Sequence, residues 1–224
     1  HAEIAVAALA AGKHVWCEKS MSTTLADSTA MANAAASSAG KTIIGYNYTK
    51  NPAVTHARRL IDDGVIGRVS GFFCRYDVDN EADGNRPWSW RMSRAQSGTG
   101  SNGDVLSHVI SVAHFLTNSS ISRVVGDYTI VHKERADSQA AGQTKIVDND
   151  DMVAALIHFE NGVKGHIGAS RVTWGRKCGL RWELHGTEGT IMYNQERLNE
   201  LKLFTRQDNP SNRRVPYHFN RPIA

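Results

Sequence analysis

Apolar positions recur along the chain with two different spacings. Residues 1–12 are Ala-rich, with Ile4, Leu9 and the alanines on one side, and Gly12-Lys13 reads as a helix stop. His14 to Glu18 is a short, mostly apolar strand. Ser22-Thr23-Thr24 offers caps for a helix from about Leu25 to Ala39, closed by Gly40-Lys41. Thr42 to Tyr48 reads as a second strand, and Asn51-Pro52 opens a third helix that ends at Asp63-Gly64. Helix, strand, helix, strand with short connections is the rhythm of a parallel sheet covered by helices.

Beyond Gly64 the spacing becomes a strict alternation. Arg68 to Asp77 reads as a strand. Val153, Ala155, Ile157 and Phe159 alternate up to Asn161-Gly162, a hairpin signal, and Val163 to Ala169 returns. Leu180, Trp182 and Leu184 alternate before a Gly-containing turn, Thr190 to Tyr193 follows, and Leu201 to Phe204 is a further strand. In the middle, Asn102 to Leu116 has helical spacing, with a broad apolar face of Val105, Leu106, Val109, Ile110, Val112, Ala113 and Leu116. The expected fold is therefore α/β plus α+β. Residues 1–48 form the C-terminal part of a Rossmann-type parallel sheet. Residues 49–224 form a mostly antiparallel sheet domain with a central helix, incomplete at its C-terminus.

Composition narrows the class. The 224 residues are 41% apolar and 21% charged, which excludes a disordered chain, a collagen and a coiled coil. No apolar run reaches the length of a membrane span, so no membrane partner is expected. The net charge of +4 comes from scattered Lys and Arg rather than a basic stripe with aromatics, which argues against nucleic acid. The three cysteines, Cys17, Cys74 and Cys178, are odd in number and far apart, as suits a reducing cytoplasm. The chain opens directly in a helix-period segment, and a fragment cut from a longer protein is expected.

Candidate chemistry gathers on the central helix and at the first strand's end. Asp104, Ser107, His108 and Ser111 share the polar side of the helix. Asp104 and His108 are four apart, so a carboxylate beside an imidazole would hold the ring and raise its pKa, as a general acid–base pair requires. The competing reading is a solvated polar face. His114 lies six positions beyond His108, about 240° around the helix at roughly 100° per residue, and no paired-Cys or His-Glu-x-x-His spacing occurs, so no metal is expected. Lys19 follows the first strand, where ligands of open parallel sheets bind; there it could polarise a hydroxyl or carbonyl oxygen, although an isolated Glu-Lys pair reads first as a snorkelling surface lysine. Trp174 and Trp182 read as sheet core or subunit interface, and Arg213, Arg214 and Arg221 as a solvated tail. His56, His132, His158, His166, His185 and His218 carry no partner signature.

Read together, these segments resemble one family. Ala11-Gly12-Lys13-His14-Val15-Trp16-Cys17-Glu18-Lys19 is similar to the "aGKHVxxEKP" signature of the Gfo/Idh/MocA oxidoreductases. Gly98 to His108 resembles that family's "GGGxLxDxGxHxxD" helix, with Trp90-Arg91 just upstream where many members carry Trp-Arg. Glu160 to Val163 and Gly186 to Thr190 resemble the hairpins of its C-terminal domain. The resemblance runs through nearly the whole chain and is nearest to sugar and polyol dehydrogenases of the inositol or levoglucosan dehydrogenase kind. It implies an oxidoreductase using NAD or NADP, moving a hydride between the nicotinamide and a ring carbon of a sugar or polyol. By that analogy Lys19 contacts the reacting hydroxyl and the nicotinamide ribose, His108 exchanges the hydroxyl proton, and Asp104 binds substrate and orients the site. Glu18, Lys19, Asn47, Trp90 and Arg91 are the expected cofactor neighbours. A homo-oligomer, dimer or tetramer, is expected through the antiparallel sheet. The alternatives are a silent relative that senses a sugar or dinucleotide, and an oligomerisation module of the same fold.

The chain departs from the family pattern at four points. Ser20 replaces the Pro after Glu-Lys, where the family's cis bond would be costly. Leu106 replaces a Gly, and Ser111 replaces a carboxylate after the His. No G-x-G-x-x-G follows a strand and opens a helix. Gly98-x-Gly100-x-x-Gly103 matches the pattern, but its upstream stretch, Asp83 to Gln96, is polar and Pro-containing, so it is not read as a phosphate cradle. Residues 1–224 alone are therefore expected to bind NAD poorly and to be inactive.

Overall fold

The protein was described from a computed structural model, which describes residues 1–208 and the backbone of residues 222–223. Arg213, Arg214, His218 and Arg221 lie outside the described residues.

The N-terminal part is two helix–strand units. α1 (Ala2–Ala10) leads to β1 (Val15–Cys17), and α2 (Leu25–Ser37) leads to β2 (Thr42–Ile44), which pairs with β1 in parallel. Thr24 caps α2, its hydroxyl accepting from the Asp27 amide at 3.1 Å. Ala5, Cys17 and Met31 make a small core between helices and strands. Ile4, expected on the packed side, is exposed together with Trp16, because no element among the described residues covers that side. β2 stops at Ile44, and Asn47–Lys50 is a 3₁₀ turn instead of the expected strand continuation.

α3 (Pro52–Asp62) is capped by Asn51, whose side chain accepts from the Ala53 amide. β3 (Val69–Asp77) then enters a sheet of eight strands. These are completed by β4 (Ile121–Thr129), β7 (Met152–Phe159), β8 (Lys164–Ser170), β9 (Gly179–Gly186), β10 (Gly189–Asn194), β11 (Leu201–Thr205) and β12 (Pro222–Ile223). Their order is β12-β11-β10-β9-β3-β8-β7-β4, antiparallel except for the central β3–β8 pair. A small hairpin, β5 (Glu134–Ala136) with β6 (Thr144–Ile146), interrupts the path from β4 to β7.

One face of this sheet is covered. α4 (Arg94–Ser97) precedes a π turn over Asn102–Leu106 that runs into α5 (Ser107–Thr117). The α5 residues Val109, Val112, Ala113 and Leu116 are fully buried against inward strand residues such as Phe72, Ile157, Leu180 and Trp182. Burying each large aliphatic or Phe side chain is worth about 1.5–3 kcal/mol, so α5 is held chiefly by its apolar face. Trp182 stacks on Tyr193 within the core, whereas Trp174 stands exposed on the loop after β8 and is not core. Asn161-Gly162 makes the expected β7–β8 turn, with Gly162 at φ 87°.

Candidate functional site

The site lies where the two parallel strands end against the head of α5. Lys19 leaves β1, crosses to the π turn, and donates from Nζ to the Asp104 carboxylate at 2.5 Å and to the Asp104 carbonyl at 3.0 Å. The Lys19–Ser20 peptide is cis. The Ser20 hydroxyl donates to the Gly103 carbonyl, so the residue that departs from the family pattern also ties β1 to the same turn. A π turn inside a helix re-aims side chains and is frequent at functional sites.

His108, expected beside Asp104 on a polar face, is buried. Its ring meets Tyr48 at 4.7 Å, Tyr46 edge-on at 5.7 Å and Tyr76 at 5.9 Å. No hydrogen bond joins it to Asp104, whose carboxylate is taken by Lys19, and the buried His108 Nδ1 has no hydrogen-bond partner among the described residues. The pKa is lowered to about 4 rather than raised. Burial is the main cause, the Lys19 charge adds to it, and Asp104 opposes both without prevailing. The imidazole is thus neutral at pH 7 and can accept a proton.

The tyrosine surround was not legible from spacing. Tyr46 and Tyr48 come from the turn after β2, and Tyr76 from the inward parity of β3. Tyr48 and Tyr76 share a 2.6 Å hydrogen bond, and both hydroxyls approach Cys178. Burial and the bond to Cys178 push Tyr48 up to about 12, and burial pushes Tyr76 well above the usual phenol range, so both remain neutral hydroxyls.

Glu18 and Asn47 are exposed, just past the carboxyl ends of β1 and β2. A Cβ added at Gly45 would stand 3.3 Å from the Glu18 carboxylate, so the two strand exits lie side by side. Trp90 and Arg91 sit on a 3₁₀ turn, with the Arg91 guanidinium stacked 4.6 Å over the Trp90 ring. No hydrogen bond or ion pair among the described residues joins either side chain to Lys19, Asp104 or His108. The structure therefore brings Lys19 and Asp104 into contact, with His108 in their electrostatic field, and it bonds neither Trp90 nor Arg91 to them.

A dinucleotide fits one end of this arrangement. Paired parallel strand ends with Lys19 and a neutral, buried His108 nearby suit a nicotinamide and its ribose. The Gly98–Gly103 run does not supply a phosphate cradle: a Cβ at Gly100 would meet the Asp150 carbonyl at 1.9 Å, so that glycine exists for close packing. A concavity of about 560 Å³ lies on the face of the sheet around Phe73, His166 and Met192, and neither Lys19 nor His108 lines it, so it is not the reaction site. No three His, Cys, Asp or Glu residues among those described are grouped to hold a metal ion.

Comparison with known proteins places the chain in one family. The model of the GFO/IDH/MocA C-terminal domain matches residues 54–192. That of the oxidoreductase family's NAD-binding Rossmann fold matches residues 1–46. This chain belongs to the GFO/IDH/MocA oxidoreductase family. It is 36% identical to levoglucosan dehydrogenase of Pseudarthrobacter phenanthrenivorans over 95% of this chain and 57% of that protein. It is 31% identical to 1,5-anhydro-D-fructose reductase of Ensifer adhaerens, over 86% of this chain and 53% of the relative. Among solved structures, a levoglucosan dehydrogenase in complex with NADH and L-sorbose superposes with a TM-score of 0.89 at 38% identity, covering 94% of this chain and 55% of that one. The chain thus spans about half the length of these GFO/IDH/MocA relatives.

Proposed function

We propose that the protein carrying this chain is an NAD(P)-dependent sugar or polyol dehydrogenase, or the corresponding keto-sugar reductase. The Lys19–Asp104 contact beside the neutral, buried His108 carries the reading. The relatives named above, levoglucosan dehydrogenase and 1,5-anhydro-D-fructose reductase, support the substrate class. Residues 1–48 serve as the remnant of the nucleotide domain and residues 49–224 as the substrate and oligomerisation domain.

The dinucleotide, when bound, supplies the hydride acceptor or donor. Two of the three Lys19 ammonium protons are directed at Asp104, leaving one for the reacting hydroxyl oxygen. His108 takes the hydroxyl proton during oxidation and returns it during reduction; its low pKa keeps it free to accept. Asp104 fixes Lys19 and offers its remaining oxygen to a second substrate hydroxyl. The tyrosines exclude water around His108. Glu18, Asn47, Trp90 and Arg91 would line the bound dinucleotide. The three unpaired cysteines support a cytoplasmic setting.

The uncovered sheet face supports pairing with a second copy. Val125, Leu156, His166, Phe73, Glu183, Met192 and Lys202 form one row across it, mixing apolar groups with charges of both signs. Leu156 is 63% and Val125 74% exposed.

Lys19→Met in the full-length protein tests the enzymatic reading. Turnover of NAD(P) with a panel of sugars and polyols is expected to fall by about 10²-fold or more, with folding retained. Wild-type full-length protein that binds sugar or dinucleotide yet never turns over would replace it with the sensing alternative.

A further inference from the structure

Beneath the site lies a buried polar cluster that the chemistry above does not use. Asn149, Asp150 and Asp151 precede β7, and Arg171 follows β8; all four are at least nine-tenths buried. Asp150 accepts from the Gly100 amide at 2.9 Å with one carboxylate oxygen and from the Asn102 amide at 2.6 Å with the other. Its carbonyl accepts from the Ser101 amide at 2.8 Å. Three successive amides at the start of the π turn are therefore held by one residue. The Asp104 amide in turn donates to the Gly100 carbonyl at 3.1 Å, two links from Asp150.

The neighbouring side chains hold a different segment. Asn149 Nδ2 donates to the Arg91 carbonyl at 2.7 Å, and Arg171 Nη1 donates to the same oxygen at 3.1 Å. Arg171 also bonds Asn149 Oδ1 at 2.8 Å and the Asp151 carboxylate at 2.8 Å, and Asp151 accepts from the Val131 and His132 amides. Both buried side chains that donate to the Arg91 carbonyl are thus oriented by another buried group, and the Ser97 hydroxyl, which accepts from Asn149 Nδ2, donates to the same oxygen at 3.4 Å.

We infer that this cluster is a two-part positioning device. Asp150 sets the π turn that presents Asp104 to Lys19, and Asn149 with Arg171 sets the Trp90–Arg91 turn. The assignment rests on the oxidoreductase reading, and it divides the kinetic consequences between adjacent residues. A carboxylate that merely stabilised the fold would depress all parameters together. A positioning residue separates them, since misplacing a reacting group by about 1 Å can cost 10²-fold in rate.

The test compares Asp150→Asn, Asp150→Glu and Asn149→Ala in the full-length protein. Asp150→Asn turns one acceptor oxygen into a donor facing an amide. It is expected to lower kcat about tenfold or more while KM for the dinucleotide stays within about twofold. Asn149→Ala is expected to show the reverse, a dinucleotide KM raised several-fold with kcat little changed. Asp150→Glu keeps both acceptor oxygens and should recover part of the loss; it carries the same kinetic split if Asp150→Asn does not fold. Amide hydrogen exchange supplies a readout independent of turnover: residues 100–106 should exchange about tenfold faster or more in Asp150→Asn, with β7–β9 unchanged. Equal changes in kcat and KM in both variants, or unchanged exchange at 100–106, would overturn the inference. Absence of turnover in wild type would strike the oxidoreductase reading alone, because the exchange comparison would still decide whether Asp150 fixes the turn.

Discussion

His108 shows how environment reverses a local expectation. Spacing alone set Asp104 beside it and called for a raised pKa; the fold gave Asp104 to Lys19 and wrapped the imidazole in tyrosines. The consequence is a pH-dependent stability. The folded pKa of about 4 lies below the ordinary value of 6.5, so the unfolded chain binds the proton more readily between these values. Stability linked to His108 is therefore complete above pH 6.5 and lost as pH falls toward 4, by up to about 3 kcal/mol over the full window. Denaturant unfolding of wild type and His108→Gln at pH 7 and pH 4.5 checks this. The variant should lose less on acidification, and identical losses would show that His108 is not the titrating group.

At the scale of elements, most of the helices and strands were legible because their burial is local and periodic. α3, β3, α5 and the β7–β8 hairpin fall within a few residues of the positions that caps, turns and alternation set for them. β4 and the β5–β6 hairpin were not legible. β4 is an edge strand, largely exposed, so no apolar alternation marks it. The π turn was equally hidden, since apolar spacing over Asn102–Leu106 suits an α-helix, and the wider winding depends on Asp150 and Ser20 from distant segments. Gly100 is the sequence trace of that packing. Gly100→Ala is expected to cost about 1–3 kcal/mol by forcing the Asp150 backbone away, more than the roughly 1 kcal/mol for Thr24→Ala at the α2 cap. Chemical denaturation of both variants gives the comparison, and a smaller loss at Gly100 would mean that the turn relaxes freely.

For the whole molecule, the two open surfaces make separate predictions. Sedimentation at micromolar concentration should find a dimer or larger through the uncovered sheet face, and Leu156→Arg should dissociate it; a monomeric wild type would count against self-association there. Equilibrium dialysis of residues 1–224 should find weak NAD binding, since on the proposed reading the described residues supply only the nicotinamide end of the site and no Gly-rich phosphate cradle occurs among them, and tight binding would refute that expectation.

The sequence by itself determined most of the element types and the split between parallel and antiparallel sheet, and its motifs singled out Lys19, Asp104 and His108, because those follow from periodicity and from motifs short enough to read in one dimension. Only the tertiary structure decided which of these residues touch. Lys19 and Asp104 are 85 positions apart, and Asp150 and Asn102 are 48 apart. Burial and partner choice at such separations depend on how β1, β3, β7 and β8 converge, and that convergence sets the ionisation of His108.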